Sequence, residues 1–254
     1  MIFRKTLRDE AVKSLVFFAI TTGALALAVF YYPTFAENRG LVMKLVPIFV
    51  KGLVADVMKD EYVGYYVLQH YVKGLLFISA ASAVFIGMGA ISKEVETGTI
   101  HVLLSKPVSR TRVLLGKAAA LAIATAVPVV GSSLLGVVLS RAIGENVALG
   151  ATLAAAGHAT IFAWALLAIT ILSSVIFDEQ IKAGGWAGVL CLSQIVLFLA
   201  DNTRRYSFFD YASYSSYRRI FIEGSYPYRD TAVLAATALA ALAAAVVAFR
   251  RKDV

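Results

Sequence analysis

Only a few side chains in this sequence combine types and positions that would support catalysis. Ser132 and Ser133 lie in one apolar stretch and His158 in the next, so an intramembrane protease would have a serine nucleophile and a histidine base. We favour the alternative, in which the serines bond to their own helix backbone and His158 bonds to a neighbouring helix. His158 and Gln194 are the most polar side chains within apolar stretches. Each would either line a polar pathway or form an interhelical hydrogen bond, and we expect the second role.

Motifs for nucleotides and metals are missing from the sequence. Gly116-Lys117 is followed by alanine and lacks the upstream glycine of a P-loop, so ATP binding of that kind is not expected on this chain. The three histidines are far apart and the single cysteine, Cys191, lies in an apolar stretch, which disfavours a metal cluster. We therefore predict no catalytic, cofactor or metal site here, and any energy source would lie on another chain.

The composition predicts a membrane protein. Of the 254 residues, 59% are hydrophobic and only 16% are charged, against about 25% in soluble domains. Six stretches lack Asp, Glu, Lys and Arg over at least 18 residues, and about 20 helical residues cross a hydrocarbon core of roughly 30 Å. We therefore predict a single domain over residues 1–254, all-α and polytopic, with six transmembrane helices. The predicted spans are residues 14–36, 74–92, 118–140, 148–177, 183–200 and 231–249.

Lys and Arg are denser on the side of the predicted bundle that holds both termini. That side has 13 of them in 48 residues, whereas the other side has 11 in 74. By the positive-inside rule, we predict a multi-pass protein of the cell (plasma) membrane with both termini cytoplasmic. The formal charge is +8, but the basic residues flank apolar stretches as membrane anchors do. The lipid bilayer is therefore an expected partner and nucleic acid is not.

Two long segments are predicted on the outer side of the bundle. Within residues 37–73, the apolar stretch from Leu41 to Met58 is expected to form a helix lying in the membrane interface and bent at Pro47. An aromatic belt at headgroup level is expected from the tyrosines that follow, Tyr62, Tyr65, Tyr66 and Tyr71. Residues 201–230 carry nine aromatic residues, five arginines and four acids. We expect this segment to anchor in the interface, and a gate above a pathway is the alternative.

The predicted cytoplasmic loop 93–117 has the most specific pattern in the sequence. Gly98 can end the second helix in a left-handed conformation, and Thr99 can cap the short helix that follows. An apolar ridge on that short helix would consist of Ile100, Leu103 and Leu104. A short apolar helix held away from the bilayer suits docking on a soluble partner, although a helix lying on the membrane surface fits equally well.

The residues on either side of this short helix also have expected roles. Glu94 and Glu96 lie near the end of the second helix, where the helix dipole disfavours acids, so we expect them to have partners elsewhere. Pro107 ends the short helix, because the residue before a proline avoids the α region. Ser109 can then cap the next helix, which leads through Arg110 into the third span.

The loop resembles the one between the second and third spans of type-2 permeases of ATP-binding-cassette (ABC) exporters. It contains E-x-E-x-G-T, then L-L-S-x-P-V-S-R, then G-K entering an apolar span. The similarity is to the small six-span subfamily whose ATPase is a separate polypeptide. The resemblance implies that Thr99 to Leu104 forms a cytoplasmic coupling helix seated on that ATPase. The residues at positions that match the family's motif are Glu94, Glu96, Gly98, Pro107 and Arg110.

The resemblance also implies a function and a set of partners. This chain would be the permease subunit of an ATP-driven exporter, working as two permease copies with two ATPase subunits that hold ATP and Mg²⁺. A homodimer and a heterodimer are both open, as is the substrate. Residues 201–230 would occupy the place of short re-entrant helices, whereas the long segment 37–73 departs from the family pattern. The alternative function is a membrane scaffold that recruits an ATPase without transporting a substrate.

Overall fold

The computed structural model describes residues 2–45, 51–105, 108–200 and 202–252, and these residues form helices and connecting turns without β-strands. Six helical segments are long and apolar enough to cross a membrane, which confirms the predicted fold class and number of spans. They are Ile2–Glu37, Glu61–Glu96, Arg110–Ala142, Leu149–Ile176, Gln180–Leu199 and Tyr228–Arg251.

The individual helices are numbered along the chain. They are α1 (Ile2–Glu37), α2 (Arg39–Leu45), α3 (Lys51–Lys59), α4 (Glu61–Tyr66), α5 (Leu76–Gly87), α6 (Ser92–Glu96), α7 (Ile100–Leu104), α8 (Arg110–Ala142), α9 (Leu149–Ile176), α10 (Gln180–Leu199), α11 (Tyr214–Phe221) and α12 (Tyr228–Arg251). A π-helical segment, Val67–Leu75, joins α4 to α5. Two 3₁₀ turns, Arg204–Tyr206 and Phe208–Ala212, precede α11.

Helix α9 is the centre of the bundle. It packs against α5, α8, α10 and α12. Ala155, Ala159 and Ala163 recur every four residues on α9 and are at most 1% exposed. Small residues at this spacing let helix backbones approach closely, which is how helices associate where lipid offers no hydrophobic drive between them.

The second membrane helix begins earlier than predicted. Its start was expected at residue 74, whereas the helical segment begins at Glu61. The prediction stopped at Lys73 because this residue is charged, yet its side chain is exposed on the helix surface and does not interrupt the helix. Lys73 and Lys93 are 20 positions apart, about 30 Å along a helix, which matches the thickness of a hydrocarbon core. The turns before Lys73 therefore extend the helix beyond the predicted span.

The prediction of an aromatic belt is wrong, because its residues are buried within the protein. Four tyrosines of the extended helix are at most 3% exposed: Tyr62, Tyr65, Tyr66 and Tyr71. The Tyr62 hydroxyl lies 2.6 Å from Ser140 Oγ, and Tyr65 donates a hydrogen bond of 2.9 Å to the carbonyl of Ala28. The rings of Tyr62 and Tyr65 thus pack against α8 and α1 and satisfy their hydroxyls there. Of the predicted interfacial helix, α2 and α3 are described, and Pro47 lies outside the described residues.

One end of the bundle holds the first and last described residues together with the loop between α5 and α8; we call it the termini end. Lys5 on α1 and Lys93 on α6 line the same cavity there. Lys252, just after α12, donates a hydrogen bond of 2.7 Å to the carbonyl of Val175 near the end of α9, and pairs with Asp178 at 2.7 Å. This arrangement agrees with an even number of spans.

At the opposite end, residues 202–227 fold onto the bundle. Phe209 and Tyr217 are at most 1% exposed. Asp60, between α3 and α4, accepts hydrogen bonds from Arg218 Nε at 2.8 Å and from the Tyr214 hydroxyl at 3.1 Å. The segment is therefore attached to the bundle through these residues, and its anchoring in the membrane interface stays a prediction.

Candidate functional site

The candidate site is the loop at the termini end that carries α6 and α7, residues 92–109. Its course is set by Gly98, which has a φ of +68° as predicted, in the left-handed region that glycine adopts without strain. The Gly98 amide donates to the carbonyl of Val95 at 3.0 Å, which closes the turn after α6. Helix α7 then leaves in a new direction.

Thr99 does not cap α7 as predicted. Its backbone is already helical, with φ −75° and ψ −8°, so its hydroxyl is not placed to accept from the first amides of the helix. Thr99 Oγ1 lies instead 2.9 Å from Thr97 Oγ1. By contrast, Ser109 caps α8 as predicted, because its Oγ accepts a hydrogen bond of 3.3 Å from the amide of Arg112.

Both acids of the E-x-E pattern have the partners that the sequence led us to expect. Glu94 pairs with Lys117 of α8, whose side chain is only 7% exposed and also donates to the carbonyl of Ala90 at 2.8 Å. Glu96 accepts a hydrogen bond of 3.0 Å from the amide of Gln180, the first residue of α10. A carboxylate at a helix N-terminus is favourable, because the first amides of a helix lack partners and carry partial positive charge.

The apolar ridge of α7 faces the bundle rather than the solvent. Ile100 is 2% exposed, and Leu103 is partly buried against the same core. His101 and Val102 lie on the outward face, where Val102 is 66% exposed. We did not predict this pair because we assigned the apolar positions to docking, although in a helix of five residues the same spacing also serves internal packing. The side chain of Leu104 and the whole of Pro107 lie outside the described residues.

Arg110 connects the loop to the last membrane helix. Its Nη1 donates a hydrogen bond of 3.1 Å to the carbonyl of Phe249 and another to the carbonyl of Lys252. Cationic side chains near a helix C-terminus satisfy carbonyls that have no partner within the helix. Arg250 adds a hydrogen bond of 2.9 Å to Thr111 Oγ1. Four helices, α8, α9, α10 and α12, therefore meet the loop or its flanks.

The polar residues inside the spans join helices to each other. His158 is fully buried, with Nε2 3.0 Å from the carbonyl oxygen of Tyr211 and Nδ1 2.8 Å from Thr231 Oγ1. Gln194 Oε1 accepts a hydrogen bond of 2.8 Å from the amide of Phe208. Both side chains thus hold spans against residues 202–227, which agrees with the interhelical role that we favoured.

Ser132 and Ser133 do not pair with His158, whose partners are Tyr211 and Thr231. Ser132 and Ser133 donate to the carbonyls of Pro128 and Val129, at 2.6 and 2.7 Å, within their own helix. The histidine beside Ser133 is His70, at 3.1 Å, and its other ring nitrogen has no partner in the part of the chain that the structure describes. An oriented nucleophile and base are therefore not assembled around His158.

The sequence profile of the ABC-2 family transporter proteins matches residues 1–254, the whole sequence. This chain belongs to the ABC-2 family of transporters. The match confirms the resemblance that the loop motif indicated. A comparison with curated proteins finds no match.

In this ABC-2 permease, the loop is held by contacts to other helices. Within the described ranges, no three His, Cys, Asp or Glu side chains lie close enough to hold a metal ion. The loop instead combines an exposed tip, at His101 and Val102, with a base fixed by Ile100 and by the Glu94–Lys117 ion pair. Such an arrangement can transmit a displacement from the tip to several membrane helices.

Proposed function

We propose that this ABC-2 permease is the membrane-spanning subunit of an ATP-driven exporter, and that α7 couples it to a separate ATPase. The observation that supports this most directly is the bracing of the loop. Glu94 contacts α8, and Glu96 contacts the first turn of α10. Arg110 contacts the end of α12. A push on α7 would therefore move three membrane helices together, as a coupling element must.

The termini end would face the cytoplasm of a cell whose plasma membrane holds the protein. The density of Lys and Arg on that side supports this orientation. The ATPase would bind ATP and Mg²⁺, and the assembly would contain two ATPase subunits and two permeases, which are identical or similar chains. Helices α1, α10 and α12 support an assembly of this kind. In the most apolar 18-residue stretch of each, only 22%, 17% and 22% of the residues, respectively, are buried within one chain. The remaining surface is available to lipid or to a second permease.

A substitution at the outward face of α7 tests the coupling role without disturbing the core. Val102→Asp places a charge on a side chain that is 66% exposed, and Val102→Thr is the matched control of nearly equal shape. Each variant is purified in mild detergent from its native membrane, and mass spectrometry measures the amount of a P-loop ATPase that co-purifies. We expect Val102→Asp to retain about one tenth of the ATPase or less, and Val102→Thr to retain it fully.

Two results would contradict the proposal. One is an ATPase that co-purifies equally with the wild type and both variants, and the other is the lack of any such ATPase with the wild type. Reconstitution into vesicles distinguishes the scaffold alternative from an exporter. An ATPase that binds the wild type but drives no ATP-dependent movement of any substrate across vesicles, and is stimulated by none, would favour a scaffold.

A further inference from the structure

A cavity of about 280 Å³ that several charged side chains line lies at the termini end between α1, α6 and α8. Lys5 and Asp9 line it from α1, Lys93 and Glu94 from α6, and Lys117 from α8. The apolar side chains of Ile86 and Leu121 also line it. The cavity is large enough for a small polar group.

The cavity lies at the depth where the membrane changes from hydrocarbon to headgroups. Three charge-free stretches end beside it, at Lys13 before the first, at Lys93 after the second and at Lys117 before the third. Charged residues at the limits of apolar stretches mark the headgroup region on that side. Ile86 and Leu121 lie within the second and third stretches, in the direction of the hydrocarbon.

The charges around the cavity are only partly used by the protein. Glu94 pairs with Lys117, and Glu10 pairs with Lys13 at 2.8 Å. Lys5, Lys93 and Asp9 have no ion-pair partner among the residues that the structure describes. Two cations and one acid therefore remain for a ligand.

Glu94 adds an unused acceptor. Its Oε2 is buried and lacks a hydrogen-bond partner within the described ranges. A buried carboxylate oxygen without a partner is costly to leave in place, so a donor from a bound molecule would be favourable there. The cavity thus offers cations to an anionic group and acceptors to a donor group.

We propose that this cavity binds the headgroup of phosphatidylethanolamine from the adjacent leaflet. The phosphate would lie near Lys5 and Lys93, and the ammonium group would donate hydrogen bonds to Asp9 and Glu94. Phosphatidylcholine provides the same phosphate, but its methylated ammonium has no N–H to donate, so it cannot satisfy Glu94. The proposal concerns binding alone and does not depend on coupling to an ATPase.

Native mass spectrometry of the full chain in detergent, with defined lipids added, tests the site. We expect the wild type to retain phosphatidylethanolamine about five times more strongly than phosphatidylcholine, and the double variant Lys5→Gln/Lys93→Gln to lose most of this retention. The matched control is Lys59→Gln/Lys182→Gln, which removes two exposed lysines elsewhere and should bind like the wild type. Melting curves establish that each variant is folded.

If the double variant fails to fold, Asp9→Asn provides a second test. This variant should lower the preference for phosphatidylethanolamine over phosphatidylcholine, because the contacts to the phosphate are unchanged and only an acceptor for the ammonium group is altered. Equal retention of the two lipids by the wild type would overturn the proposal, as would full retention by the lysine double variant. Soluble glycerophosphoethanolamine is the third ligand. Binding of this compound as tightly as the lipid would overturn the assignment to a membrane lipid, because Ile86 and Leu121 would then contribute nothing.

Discussion

The Glu96 carboxylate accepts a hydrogen bond of 3.0 Å from the backbone amide of Gln180, 84 positions later in the chain. The loop after the second membrane helix thereby supplies the cap of the fifth. Helix α10 has few buried residues of its own, Ala183 and Ala187. The cap is therefore one of the contacts that fix the start of α10 relative to the rest of the bundle.

Glu96→Ala should lower the free energy of unfolding by about 1 kcal/mol, because α10 loses its N-terminal acceptor. Glu96→Gln keeps an acceptor oxygen without the charge, so about half of that loss is expected. Thermal melting in detergent measures both. Equal melting temperatures for the two variants would show that the hydrogen bond to Gln180 contributes nothing to stability.

Removing one partner of the Glu94–Lys117 pair should be more damaging than removing both. Lys117→Met leaves Glu94 without its cation in a largely buried place, and we expect a loss of roughly 3 kcal/mol. The double variant Lys117→Met/Glu94→Gln should recover at least half of it. Denaturation of the two single variants and the double variant completes the cycle, and additive effects would argue against a direct interaction.

His158 should matter for structure and Ser132 should not. His158→Phe leaves the carbonyl of Tyr211 and the hydroxyl of Thr231 without their partner, which should cost about 1–3 kcal/mol. Ser132→Ala removes only a bond within α8 and should change stability by less than about 0.5 kcal/mol. The melting temperature and the transport activity of both variants test these expectations. A Ser132→Ala protein that is folded but inactive would revive a hydrolytic role.

Alkaline pH should destabilise the opposite end of the bundle through Tyr214. Burial, followed by the nearby charge of Asp60, raises the pKa of Tyr214 above its usual value of 10.0. A pKa raised in the folded state means that the stabilising contribution is complete below pH 10 and decreases as the pH rises above it, because the unfolded chain ionises first. Melting temperatures at pH 9 and pH 11 should therefore fall less in Tyr214→Phe than in the wild type. Identical pH dependence would contradict this assignment.

The class of fold and the outline of the site could be predicted from local sequence. Charge-free stretches of 18 residues or more identify membrane helices, because a buried charge is expensive in hydrocarbon. Gly98 and Ser109 were predictable because their conformations depend on residues within four positions. The partners of Glu94 and Glu96 could be expected but not named, since Lys117 and Gln180 come from other helices.

Burial could not be predicted where it depends on tertiary packing. Ile100 was assigned to an outside partner, although its own core covers it. Tyr62 and Tyr71 were assigned to lipid headgroups, because an aromatic residue beside an apolar stretch looks the same whether lipid or protein covers it. The early start of the second helix was missed for a related reason: Lys73 is charged, but its side chain lies on the helix surface and does not end the helix.

The helical extension from Glu61 to Lys73 has a practical consequence for anyone who wishes to shorten or label the protein. Hydropathy alone would present this region as a dispensable loop, but its deletion would remove Tyr62, Tyr66 and Tyr71 from the core. The exposed turn at Glu223–Ser225, where Gly224 has a φ of +63°, is a better place for an inserted epitope. An antibody against that epitope on intact cells would show which side of the membrane the turn faces.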